Sequence, residues 1–192
     1  RMHWILDEIG DPIGGYAPNK AHFSAASPSV LLWMGRKAEA GTATAALQRL
    51  IAKYPDSGEF VYDALIILGD AEFRSKNSRG YKAAEPLYAE AYNQFAYDPR
   101  AFEAQMKLGN TRLLIGKGPP KDTSKLVSSE EVFGQVMDNQ QLAPAVRAEA
   151  IYKMGQARAE RNDYVGAVNY YRQVYNGFPG AVEWSGKSYE AA

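Results

Sequence analysis

Apolar residues recur at helical spacing along most of this 192-residue chain, and in four places an apolar helical stretch ends in a glycine. The four are LLWMG ending at Gly35, LIILG at Gly69, QMKLG at Gly109 and IYKMG at Gly155. Successive glycines stand 34, 40 and 46 residues apart. Each is followed by a polar break, a second stretch with helical periodicity, and a proline at Pro55, Pro99, Pro144 or Pro179. Self-similarity at this period marks a stacked repeat, whose single unit is too small to bury its apolar face alone. The breaks are short, so consecutive helices are expected to run antiparallel and pack side by side.

The fourth unit is the most regular. After Gly155 an alanine follows at twelve residues (Ala167), an aromatic at sixteen (Tyr171), Val174 at nineteen and Pro179 at twenty-four. Asn162 and Asp163 predict the turn and the N-cap of its second helix. A glycine opposite an alanine lets two helix backbones approach closely, so a bulky residue at Gly155 or Ala167 is expected to overpack the pair. The second unit has Ala84, Tyr88 and Ala91 three residues later, which predicts a longer turn over 77–80. Pro86 then fits a second helix starting near Ala83, because a proline inside a helix costs about 3 kcal/mol. The third unit breaks over 116–127, and Ser128 with Glu131 form a capping-box pattern that restarts the helix before Phe133 and Val136. Asp98 is a good N-cap with Pro99 at the first helical position, and Ser27 with Pro28 opens the first unit in the same way. That unit is the shortest, with Ala43, Leu47 and Leu50 four residues early.

These residues resemble the tetratricopeptide repeat, whose pattern is a large residue, leucine-glycine, an aromatic, then alanine, an aromatic and proline. Ile151 takes the first large position and Met154 the leucine, while Arg158 departs from the usual tyrosine. The resemblance covers 27–179, about four helix pairs. It implies an all-α fold: antiparallel helix-turn-helix units stacked into a right-handed superhelix, an α-solenoid. Residues 1–26 then read as a helix and connecting loop that end a preceding repeat, and 180–192 as the first helix of a further one, so the chain reads as part of a longer array. The degenerate spacing and the Tyr54 and Pro55 ending are similar to bacterial envelope members, of the outer-membrane assembly or Tol-Pal associated type. The expected compartment is accordingly a bacterial periplasm or envelope, with the cytoplasm next.

The same resemblance implies a concave groove, lined by the first helices, in which an extended or helical peptide lies. The positions facing it are six and three before each glycine, and one, four and five after. Its central residues here are Leu32, Ile66, Met106 and Tyr152, flanked by Arg36, Asp63, Asp70, Phe73, Arg74, Glu103, Asn110, Leu113, Glu149, Gln156 and Glu160. An apolar centre with an acidic rim implies a hydrophobic or basic helix as partner, rather than the carboxylate that some family members clamp. Against this stands a plainer alternative, in which the same apolar side chains pack on neighbouring repeats.

Composition narrows the chemistry. With 22 basic and 22 acidic residues the net charge is zero, and the basic residues look scattered along the sequence, which argues against nucleic acid. There is no cysteine and only His3 and His22, so thiolate nucleophiles, disulfides and the common zinc patterns are excluded, and no metal or cofactor is expected. The GKGPPK stretch at 116–121 lacks the glycine-lysine-serine or -threonine ending of a phosphate loop and reads as an inter-helix loop. Glu130 and Glu131 read as solvated residues of a helix's first turn. The longest apolar stretches, 30–34 and 64–68, fall far short of the roughly 20 residues that span a bilayer. The expected function is a non-catalytic scaffold that binds a protein or peptide partner. Two alternatives stay open: a helical-repeat domain of a larger envelope or glycan-processing protein, with Trp33, Tyr152 and Trp184 near a glycan, and a structural subunit that pairs with its own copies through open repeat ends.

Overall fold

The computed structural model describes residues 37–54 and 58–192. Among them the chain forms eight helices and no strand: α1 (Lys37–Lys53), α2 (Gly58–Phe73), α3 (Ser78–Gln94), α4 (Ala101–Lys117), α5 (Thr123–Asp138), α6 (Pro144–Glu160), α7 (Tyr164–Gly177) and α8 (Val182–Ala191). Each helix packs on the next. In addition α4 touches α6, and α6 touches α8. The first helices of successive pairs therefore form one close layer. The backbones of α3, α5 and α7 stay farther apart and are bridged by long side chains, Tyr92 to Gln135 at 2.9 Å and Tyr170 to Glu130 at 2.9 Å. Helices closer on one side than on the other curve the stack, with α4, α6 and α8 on the inside. This is an α-solenoid, built as the repeat pattern implies.

The glycines explain how each pair closes. A Cβ added at Gly69 would lie 2.5 Å from the Tyr88 ring, and one at Gly109 would lie 2.7 Å from the Phe133 ring. At Gly155 it would run into the Tyr171 ring. The glycine thus makes room for the aromatic of the partner helix, whereas the sequence suggested that it faced the alanine. Tyr88, Phe133 and Tyr171 are all buried in consequence, and Ala84 and Ala167, one turn earlier on the same helices, are buried with them.

A second rule joins one pair to the next. Glu85 stands three residues before Tyr88, and Glu130 three before Phe133. Arg112 and Arg158 each stand three residues after a repeat glycine. Glu85 is paired with Arg112 at 3.0 Å and Lys125 at 2.7 Å, and Glu130 with Arg158 at 2.6 Å and Arg161 at 3.0 Å. The arginine that replaces the usual tyrosine in the fourth unit is therefore one half of an inter-repeat ion pair. Glu130 is only 8% exposed, so its reading as a solvated cap is corrected: it lies in the middle of α5 and is neutralised by two guanidinium groups.

Three helix boundaries also differ from expectation. α3 begins at Ser78, with the Asn77 side chain accepting from the Gly80 N–H at 2.9 Å, and it runs straight through Pro86. Pro86 and Lys82, whose carbonyl loses its helical partner there, are both on the exposed side of the helix, where solvent can stand in for the missing bond. The three extra residues of the second unit thus lengthen the helix and not the turn. Gly80, in the first turn of α3, leaves room for the preceding chain, because a Cβ there would collide with the Ser75 side chain and the Glu72 carbonyl. In the third unit α5 starts at Thr123, capped by Asp122 through the N–H groups of Ser124 and Lys125, and Ser128 and Glu131 fall inside the helix. The inter-helix loop expected at 116–121 covers 118–122, because Gly116 and Lys117 still belong to α4, and the break expected over 116–127 is shorter for the same reason and because α5 starts at Thr123. α4 starts at Ala101, two residues after Pro99; the Asp98 carboxylate still accepts the Arg100 N–H, at 2.8 Å. In the fourth unit Asp163 caps α7 through the Gly166 N–H, and Asn162 turns the chain at φ 63°, both as expected.

Candidate partner-binding face

The expected groove residues divide into three groups. Leu32 and Arg36 lie outside the described residues, as do Ser27, Pro28 and Trp33. Met106 and Leu113 are buried between helices, Met106 with Phe133, Val136, Ala150 and Met154, and Leu113 with Leu126 and Ala157. At these two positions packing occupies the side chain. Ile66, Asp70, Phe73, Asn110, Tyr152 and Gln156 are half-buried on the first helices.

On α2 the half-buried groups are tied to their neighbours. Asp70 accepts the Tyr88 hydroxyl at 2.6 Å and the Lys107 ammonium at 2.7 Å. Burial and the Asp70 carboxylate together push the Tyr88 phenol up, so it stays a donor. Asp63 is paired with Arg100 at 2.7 Å, and Phe73 leans on Tyr81 with ring centroids 5.0 Å apart. The rim that looked acidic in the sequence is neutralised here by bases from α4 and the turn before it.

The inner side of α6 and α8 is different. Tyr152 stands between Tyr171 and Trp184, at centroid distances of 5.5 and 5.6 Å, and Gln156 donates to the Tyr152 hydroxyl at 3.3 Å. The Trp184 ring carries the Lys187 ammonium at 4.3 Å and the Lys153 ammonium at 5.9 Å. Glu149 and Lys153 are one helical turn apart and half-buried, and neither belongs to an ion pair among the described residues. Burial raises the Glu149 carboxyl above its ordinary range and lowers the Lys153 ammonium below its own. In both, the loss of water outweighs the mutual attraction of the two charges.

Sequence reasoning passed over Lys107 and Lys153 in this layer. A signal was present, since each stands two residues before a repeat glycine, but that position is not among those the family resemblance assigns to the groove. Among the described residues there is no cluster of histidine, aspartate and glutamate that could hold a metal, and no helix long and apolar enough to cross a membrane.

The fold thus defines a helical-repeat scaffold with an inner and an outer layer of helices. The tetratricopeptide repeat family matches at residues 29–57 and 149–181, which places a repeat region of that type in the chain. The second match spans most of α6 and all of α7, and with them Glu149, Tyr152, Lys153, Gln156 and Tyr171, and it ends before Trp184 and Lys187. No curated protein and no solved structure matches the chain.

Proposed function

We propose that the chain is a non-catalytic scaffold that holds a segment of a protein partner against the inner face of α6 and α8. One observation carries this reading. Tyr152 and Trp184 offer a half-exposed aromatic plate, flanked by a carboxylate and an ammonium that burial disfavours and that belong to no ion pair among the described residues. A face that served packing alone would gain stability by pairing or replacing these groups, as Asp70 with Lys107 shows one repeat away. A bound segment supplies what is missing, covering the rings and offering donors and acceptors to Glu149 and Lys153.

The test is affinity capture from extracts of the source cell, comparing wild type with Tyr152→Ala and Trp184→Ala, each checked for folding by circular dichroism. A specific protein recovered by wild type and lost with both variants supports the reading. Equal recovery by all three would sink it. Met106→Ala is a poor probe, because it opens a cavity in the core and leaves the face intact.

A further inference from the structure

The turn ends of the second and third units hold a cleft that the sequence left unassigned. It encloses about 520 Å³ between the α2 to α3 turn and the α4 to α5 loop. Tyr81, Leu114 and Ile115, half-buried or buried, form an apolar floor, and Lys76, Lys82 and Lys121 also line the cleft. The two segments look unremarkable apart, yet together they concentrate charge. Residues 74–82 carry Arg74, Lys76, Arg79 and Lys82 without an acid, and 117–125 carry Lys117, Lys121 and Lys125 with Asp122 alone. In a chain of zero net charge this edge is strongly positive.

Much of the surrounding polarity is already committed. Asn77 and Asp122 cap the two helices that start here, Lys121 donates to the Glu160 carbonyl at 2.6 Å, and Lys125 is paired with Glu85. Lys76 and Lys82 are exposed and, among the described residues, belong to no ion pair. The cleft therefore carries three ammonium groups, those of Lys76, Lys82 and Lys121, against the Asp122 carboxylate, and Lys76 and Lys82 are the two whose donors are uncommitted among the described residues.

We propose that this cleft is a second docking site, on the edge of the stack and independent of the inner face, for an acidic and apolar segment of a protein partner. An apolar side chain of that segment fills the floor, and its carboxylates meet Lys76 and Lys82. The shape favours a peptide over the other polyanions. The cations line one recess instead of following a line of phosphates, and Tyr81, Leu114 and Ile115 are half-buried or buried, so they offer a bilayer no protruding apolar wedge.

The probe is a short fluorescein-labelled peptide of alternating glutamate and leucine, titrated into the full chain and read by fluorescence anisotropy. Saturable binding is expected, weakened by added salt and about tenfold weaker in the double variant Lys76→Glu/Lys82→Glu. Tyr152→Ala should leave it unchanged, which separates this site from the inner face. A lysine and leucine peptide should bind the double variant better than wild type. The proposal is overturned if the acidic peptide does not saturate, or if it binds wild type and the double variant equally. It is also overturned if phosphatidylglycerol vesicles or an oligonucleotide duplex bind in a Lys76- and Lys82-dependent way while the peptide does not. Both substituted lysines are exposed, so an unchanged circular dichroism spectrum is the expected control.

Discussion

Replacing Glu130 by glutamine should loosen the joint between the third and fourth units more than any change of one exposed charge. The Glu130 side chain is 11% exposed, and its carboxylate accepts from Arg158 Nε at 2.7 Å, Arg161 Nη1 at 3.0 Å and the Tyr170 hydroxyl at 2.9 Å. Removing one partner of a fully buried ion pair costs roughly 3–5 kcal/mol. Arg158 and Arg161 keep 33% and 26% of their side chains exposed, so water takes up part of what they lose. Glutamine also preserves the volume and the bond from Tyr170, though its amide group must face a guanidinium. These terms together give a loss of about 2 kcal/mol. Urea unfolding measures it, and a cycle with Arg158→Met tests the cause, since the double variant should lose about 1 kcal/mol less than the sum of the singles. Hydrogen exchange should quicken in α7 before α2, because a stack loosens at its weakened joint. A loss below about 0.5 kcal/mol, or additive singles, would refute the reasoning.

Three further outcomes follow from the packing and the charges. Gly155→Ala drives a methyl into the Tyr171 ring and should cost about 1–3 kcal/mol in urea unfolding, whereas Gly177→Ala, with nothing within 4 Å, should be neutral or stabilising. Glu149 has a raised folded-state pKa, so the stability it contributes is full below the ordinary value of 4.5 and is lost as the pH rises through the raised one; Glu149→Gln should therefore melt higher than wild type at pH 7 and equally at low pH. Burial alone would raise the Glu85 carboxyl, but the hydrogen bonds from Lys125 and Arg112 outweigh it and hold it low; its contribution is present above 4.5 and lost as the pH falls, so Glu85→Gln should melt below wild type at pH 7, by a margin that shrinks on acidification.

The architecture was legible because its markers are local. A glycine, an aromatic and a helical apolar stripe at repeating distances fix which faces meet, and α7 with its Asp163 cap is the clearest case. The boundaries failed where two local signals competed. Pro86 spoke against a helix that tertiary packing of Ala84 and Tyr88 nevertheless carries through, and Ser128 with Glu131 imitated a cap that Asp122 supplies instead. A longer second helix in the second unit, and a later helix start in the third, put their aromatics at irregular distances from their glycines, while the family match falls on the first and fourth.

The site was less legible because it depends on which helix lies opposite. Glu130 looked like surface until Arg158 and Arg161 were set against it from the next unit. Asp63 and Asp70 looked like an acidic rim until Arg100 and Lys107 neutralised them. Lysines that seem scattered along 74–82 and 117–125 gather on one edge only once the two turns are brought side by side. Tyr152, on the proposed face, could be named from the sequence because the repeat register puts it three residues before Gly155.

The most direct test of the proposed inner-face binding places a photo-crosslinking benzoylphenylalanine at Tyr152, aromatic for aromatic, and a second at Val165, which is 77% exposed on the outer layer. Illumination in the source cell should yield a discrete protein adduct from position 152 and none of that size from 165. Adducts of the same size from both positions, or from 165 alone, would contradict a partner held on the inner face.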